Sequence, residues 1–178
     1  MNYSEVRPHV QDGYLVFMGG NKLGQRIIKF ITRGEFTHVG FACWLEDHTG
    51  EKRLMCLESS SGGARLIHMS AYADRKMTFM KLNYNWDDVA EFAYSKTGVV
   101  HYGYLDLIMS GARDILTRFG LGGIAKFLPN TKGEICSEFV AKTLNKTKLF
   151  KIVEIISPNS LYRLLLSRSD MMYTSKGK

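Results

Sequence analysis

His38-Val39-Gly40-Phe41-Ala42-Cys43-Trp44-Leu45, followed by Glu46–Gly50 (EDHTG) and Arg53–Ser59 (RLMCLES), decides the architecture. Two apolar runs of strand length flank a short polar loop ending in glycine, which is the pattern of a β-hairpin. The Gly-containing turn at Ser60–Gly63 then leads into a third strand, Ala64–Met69. A fourth, Lys76–Leu82 (KMTFMKL), alternates with period two. Upstream, Tyr14–Met18 (YLVFM) is a buried strand closed by Gly19-Gly20.

Outside this β-rich centre the pattern turns helical. Leu23–Ile31 carries Leu23, Ile27, Ile28, Phe30 and Ile31 at helical spacing with basic residues opposite, and stops at Arg33-Gly34. The second half predicts helices over Trp86–Thr97, Leu105–Phe119 and Cys136–Asn145, and a last one from Ser157-Pro158 to Leu166. Residues 119–134, rich in glycine and carrying Pro129-Asn130, form a long loop. The expected class is α+β, an antiparallel sheet with packed helices, in a single domain over 1–166. Residues 167–178 are polar and are expected to form a flexible tail.

At 178 residues, with 45% hydrophobic and 23% charged residues, general disorder is excluded. No apolar stretch is long enough to span a bilayer, and residues 1–14 lack the apolar core of a signal peptide. Three Cys are too few for a disulfide framework, and none has metal-ligand spacing, so neither a metal nor a cofactor is expected. A reducing cytoplasm is the simplest setting, a host's if the chain is phage- or virus-encoded. The net charge of +7 is spread along the chain without a run or an aromatic-interleaved signature. A solvated basic surface is expected, with nucleic acid not the main partner.

Cys43 and Cys56 sit in apolar strands and read as small core residues. Cys136 opens a predicted helix, where unpaired N–H groups and the dipole favour a thiolate and can receive an oxyanion. A nucleophilic Cys needs a base. His38, at the start of a strand just after the Gly34 loop, is the leading candidate of five His, with His101 behind it. Glu58, closing the strand LMCLE before the turn, is the candidate to orient that base. If the 46–52 loop pairs the two strands, both polar side chains share a face. Each of these residues also has a plain structural reading, His38 as a core imidazole and Glu58 as a turn cap.

Cys136-Ser137-Glu138-Phe139-Val140 resembles the CSE(L/F)V signature of the permuted NlpC-type papain-like cysteine hydrolases. Further features follow in that family's order: YLVFMGG, the basic helix KLGQRIIKFITRG, THVGF with its His, LESSSGGARLIHMS with its acid, the Tyr-rich YGYLDL, and finally the Cys. The match runs from about Tyr14 to Leu166, and the order His–Glu–Cys resembles the permuted branch, which includes bacterial and poxviral proteins. Lecithin–retinol acyltransferase-like enzymes are a related group.

The resemblance implies a circularly permuted papain-like fold, with Cys136 as nucleophile, His38 as general base and then acid, and Glu58 as its orienter. It also implies a Tyr hydroxyl supporting the oxyanion, with Tyr102, Tyr104 and Tyr14 all open as candidates. The implied activity is amide cleavage through an acyl-enzyme, on a peptide, an isopeptide or a peptidoglycan fragment. Two alternatives stand beside it. One is a lipid acyl hydrolase or acyltransferase acting on a lipid amide or ester, with weak association to an anionic membrane. The other is an idle binding module with a basic surface.

Overall fold

The central hairpin forms as its sequence dictates: β2 (Phe36–Glu46) and β3 (Lys52–Ser60) pair antiparallel from Phe41↔Leu57 to Glu46↔Lys52. In the computed structural model the described residues are 1–20, 26, 29–30, 32–60, 63–98, 135–153 and 156–177. With β1 (Leu15–Gly19), β4 (Gly63–His68), β5 (Met77–Leu82) and β6 (Ser169–Ser175), the strands make one six-stranded sheet in the order β4-β3-β2-β1-β5-β6. Every neighbouring pair is antiparallel. The helices whose bounds fall among the described residues are α1 (Tyr3–Val6), α2 (Asp87–Ser95), α3 (Cys136–Asn145) and α4 (Pro158–Leu166). The fold is α+β. None of these helices is long and apolar enough to cross a membrane.

Side chains alternate across the sheet and so divide the core in two. Leu15, Phe17, Val39, Phe41, Cys43 and Leu57 join Phe139, Val140 and Leu144 of α3 and Leu161 and Leu165 of α4 in one cluster. Tyr14, Val16, Met18, Ala42 and Cys56 point the other way, to a cluster closed by Val6, Val10 and the 3-10 turn Met69–Tyr72. Covered on both faces, β1 reads as an uninterrupted apolar run. Phe17, Phe41, Phe79 and Phe139 are fully buried, each contributing about 1.5–3 kcal/mol relative to exposure.

The polar tail expected from Ser167 is instead structured. Ser169–Ser175 is the edge strand β6, in register with β5 from Met77↔Ser175 to Leu82↔Ser169. Its mixed polar and Met composition hid it, because one face of an edge strand is open to water and leaves no strong apolar signal. Beyond it, the Lys176 N–H donates to the Met1 carbonyl at 2.8 Å, which brings residues 1 and 176 side by side. Most of the predicted helix over 23–31, all of the one over 105–119 and the loop 119–134 lie outside the described residues.

Candidate active site

Cys136 is the first residue of α3, preceded by Ile135 in extended backbone. The Glu138 carboxylate accepts the Ile135 N–H at 3.4 Å, and the Ser137 hydroxyl donates to the Ile156 carbonyl, so the helix start is held from both sides. Phe139, Val140 and Leu144 on the inner face of α3 seat it against the sheet, chiefly on β2 and β3. Cys136 itself is fully buried.

His38 comes from the second strand. Met18 pairs with His38 but Gly19 pairs with Phe36, so Thr37 is an extra residue in β2, a bulge set directly before the His. Such a bulge re-aims the side chains beside it. The lead-in is pinned from α4: the Asn159 side chain accepts the Phe36 N–H at 2.9 Å and donates to the Phe36 carbonyl at 2.7 Å. Gly34 must lack a side chain, since a Cβ there would lie 2.2 Å from Asn159.

Glu58, fully buried on β3, receives the His38 ring: Nε2 and Oε2 are 2.6 Å apart. The pairing of β2 with β3 brings them together, and Gly40 makes room. A Cβ at Gly40 would stand 2.7 Å from Cys56 Sγ and 3.2 Å from Glu58 Cβ. Burial alone would favour neutral imidazole. The charge and hydrogen-bonding reach of Cys136, with those of Glu58, outweigh it and push the His38 pKa up to about 10. With Nε2 on the carboxylate, Nδ1 is the nitrogen left for the thiol.

Burial likewise opposes a charged Glu58, but the hydrogen bond and charge of His38, helped by Tyr72 and Arg65, hold its carboxyl down at about 2. The Tyr72 hydroxyl lies 2.8 Å from both carboxylate oxygens. Arg65 donates to Oε1 from Nε at 3.0 Å and from Nη2 at 2.9 Å. Neither residue was a candidate on sequence. Arg65 had a usable signal, since pairing Ser60 with Gly63 makes it the cross-strand partner of Glu58. Tyr72 had none, as it lies in an irregular turn beyond β4.

Cys136, His38 and Glu58 are therefore brought together from three distant segments. Tyr14 is not: it is buried in the opposite cluster, and among the described residues no hydrogen bond joins it to the site. As the residue leading into β1 it takes the inward alternation of Val16 and Met18, away from α3. Tyr102, Tyr104 and the second His candidate, His101, lie outside the described residues. Cys43 and Cys56 behave as core thiols. Burial pushes Cys43 up to about 11, and burial with the nearby Glu58 charge pushes Cys56 well above the usual range.

No family model matches this sequence, and no curated protein does. Among solved structures the chain is similar to the metalloprotein yiiX from Escherichia coli O157:H7 (DUF1105), at 11% identity and a TM-score of 0.58, over 94% of this chain and 97% of that one. At that identity the likeness speaks for the fold, an α+β arrangement shared over nearly the whole length. The metal in that name is said of that protein. Among the described residues here, no group of three His, Cys, Asp or Glu side chains is placed to hold an ion.

Proposed function

We propose that the chain is a cysteine hydrolase of the permuted, NlpC-type papain-like kind, cleaving an amide through a thioester on Cys136. The observation that carries this reading is the 2.6 Å His38–Glu58 pair, with Cys136 opening the helix that packs on the two strands bearing that pair.

The Cys136 sulfur, as thiolate, attacks the amide carbonyl carbon, and the oxyanion forms toward the backbone N–H groups at the start of α3. The His38 imidazolium gives its proton to the departing nitrogen as the C–N bond breaks and the thioester remains. Acylation removes the thiolate, and with it the charge and hydrogen bond that raised His38. Burial then pulls the ring back toward neutrality. The same residue can now take a proton from water, which attacks the thioester carbonyl. The C–S bond breaks, the carboxylic acid leaves, and the thiolate–imidazolium pair is restored. Glu58 remains ionised throughout.

The lipid-acyl alternative draws on one observation: Phe30 is 86% exposed beside the basic Lys29. Salt-sensitive sedimentation with anionic vesicles, lost in Phe30→Ser, would favour it.

The test of the hydrolase reading is a panel of acyl-amide and ester substrates followed by intact-mass spectrometry. An acyl adduct on the native protein, absent in Cys136→Ala and slow to form in His38→Ala, is expected. Undiminished turnover by Cys136→Ala would overturn the reading.

A further inference from the structure

We propose that Tyr72 and Arg65 are positioning residues for the candidate triad, holding the Glu58 carboxylate so that only one of its oxygens serves His38. The inference rests on the active-site reading above and adds to it the two residues that set its charge balance.

The geometry is specific. The Tyr72 hydroxyl is equidistant from the two carboxylate oxygens, 2.8 Å from each, so it sits astride the group and fixes its plane. Both donors of the Arg65 fork converge on Oε1, at 3.0 and 2.9 Å, which leaves Oε2 to the imidazole at 2.6 Å. Arg65 is delivered by the register Glu58↔Arg65 across β3 and β4. The Tyr72 ring is backed by the Arg75 guanidinium 4.6 Å from its centroid.

The groups facing Glu58 among the described residues come from every neighbouring element. They are His38 on β2, Cys56 on β3 at 3.7 Å, Arg65 on β4 and Tyr72 on the 3-10 turn, with Cys136 of α3 acting through His38. With the thiolate–imidazolium pair formed, two anions (Glu58, Cys136) face two cations (His38, Arg65). Removing Arg65 leaves two buried anions against one cation, and removing the Tyr72 hydroxyl strips a donor from a buried carboxylate. Both changes make Glu58 easier to protonate. Once Glu58 is protonated, the imidazolium loses its counter-charge and the thiolate follows.

The experiment follows thiolate ultraviolet absorbance from about pH 3 to 8, taken as the difference between each protein and its Cys136→Ala counterpart. Tyr72→Phe and Arg65→Gln are each expected to move the acid limb of this signal upward by about one pH unit, roughly tenfold less thiolate at the foot of the curve. Arg65→Lys, which keeps the charge but not the fork, should restore part of the shift. A merely structural role would lower the melting temperature and leave the limb in place. Curves for Tyr72→Phe and Arg65→Gln that superimpose on the native one would overturn the inference. Arg65 is half-exposed on an edge strand, so it carries the test even if Tyr72→Phe does not fold.

Glu58→Gln separates this inference from the reading beneath it. If that variant shifts the limb while the other two do not, the triad stands and the positioning inference falls. If Glu58→Gln is also silent, or the native protein shows no band that Cys136→Ala removes, the triad reading fails and takes the inference with it.

Discussion

Asn159 grips Phe36 by both polar groups of its backbone, accepting from the N–H at 2.9 Å and donating to the carbonyl at 2.7 Å, as a neighbouring strand would. The same amide nitrogen donates to Thr32 Oγ1 at 2.6 Å. A side chain from the last helix thereby fixes the start of β2, two residues before His38.

Asn159→Ala would leave a buried N–H and a buried carbonyl without partners. Each unsatisfied group costs about 1–3 kcal/mol, so a loss of about 2–6 kcal/mol is expected. Urea titration measures it. A change below about 1 kcal/mol would mean the lead-in to His38 is held by something other than this amide.

Gly40→Ala places a methyl group 2.7 Å from Cys56 Sγ and 2.8 Å from the Leu57 carbonyl. Backbone cannot yield as a flexible side chain does, so β2 and β3 must part slightly. The expected cost is about 1–3 kcal/mol in thermal or urea unfolding. The His38–Glu58 contact should loosen as well, visible as a drop in Cys136 alkylation near neutral pH. Unchanged stability with unchanged alkylation would contradict the packing described.

Stability should depend on pH on both sides of a plateau. The Glu58 pKa is lowered in the folded protein from 4.5 to about 2, so its contribution is present above about 4.5 and is lost as pH falls toward 2. The His38 pKa is raised from 6.5 to about 10, so its contribution is full below 6.5 and is lost as pH rises toward 10. The urea midpoint should therefore be highest between about pH 4.5 and 6.5. Glu58→Gln should flatten the acid side and His38→Gln the alkaline side. A profile in which neither variant changes its limb would show the pair to be energetically idle.

Deleting residues 168–178 removes β6 and uncovers β5, whose Phe79 faces Tyr173 across the pair. With a net of about 1 kcal/mol per lost hydrogen bond, a destabilisation on the order of 3 kcal/mol is expected, together with concentration-dependent association through the bared edge. Light scattering and thermal unfolding of the shortened chain test this, and a monomer of native stability would contradict it.

The parts of this fold that could be read from sequence are those where one physical signal dominates. HVGFACWL and RLMCLES announced a hairpin because both strands are buried, and Ser157-Pro158 announced α4 because a capping hydroxyl precedes a first-turn proline. Ser157 does accept the Ser160 N–H, at 3.2 Å. Strand β6 was illegible for the opposite reason, being half-solvated and rich in Ser, Thr and Met. In the site, Cys136, His38 and Glu58 could be picked out because a thiol at a helix start, an imidazole at a strand start and a carboxylate ending an apolar strand are each locally unusual. Their supports were not. Tyr72 and Asn159 act across long sequence separations, and nothing in their own neighbourhoods marks them. The bulge at Thr37 is likewise a property of pairing with β1, not of the residues THVG.

The hydrogen bond between Lys176 and Met1 places residues 1 and 176 in contact. Closing them with a short linker would add little loop-closure entropy. The polypeptide can then be treated as a ring in which the positions of His38, Glu58 and Cys136 are set by the sheet and α3, while the place where the ring is opened is a separate choice. Opening it in the Asp47–Gly50 turn would rewrite the order of these residues along the chain without moving them in space.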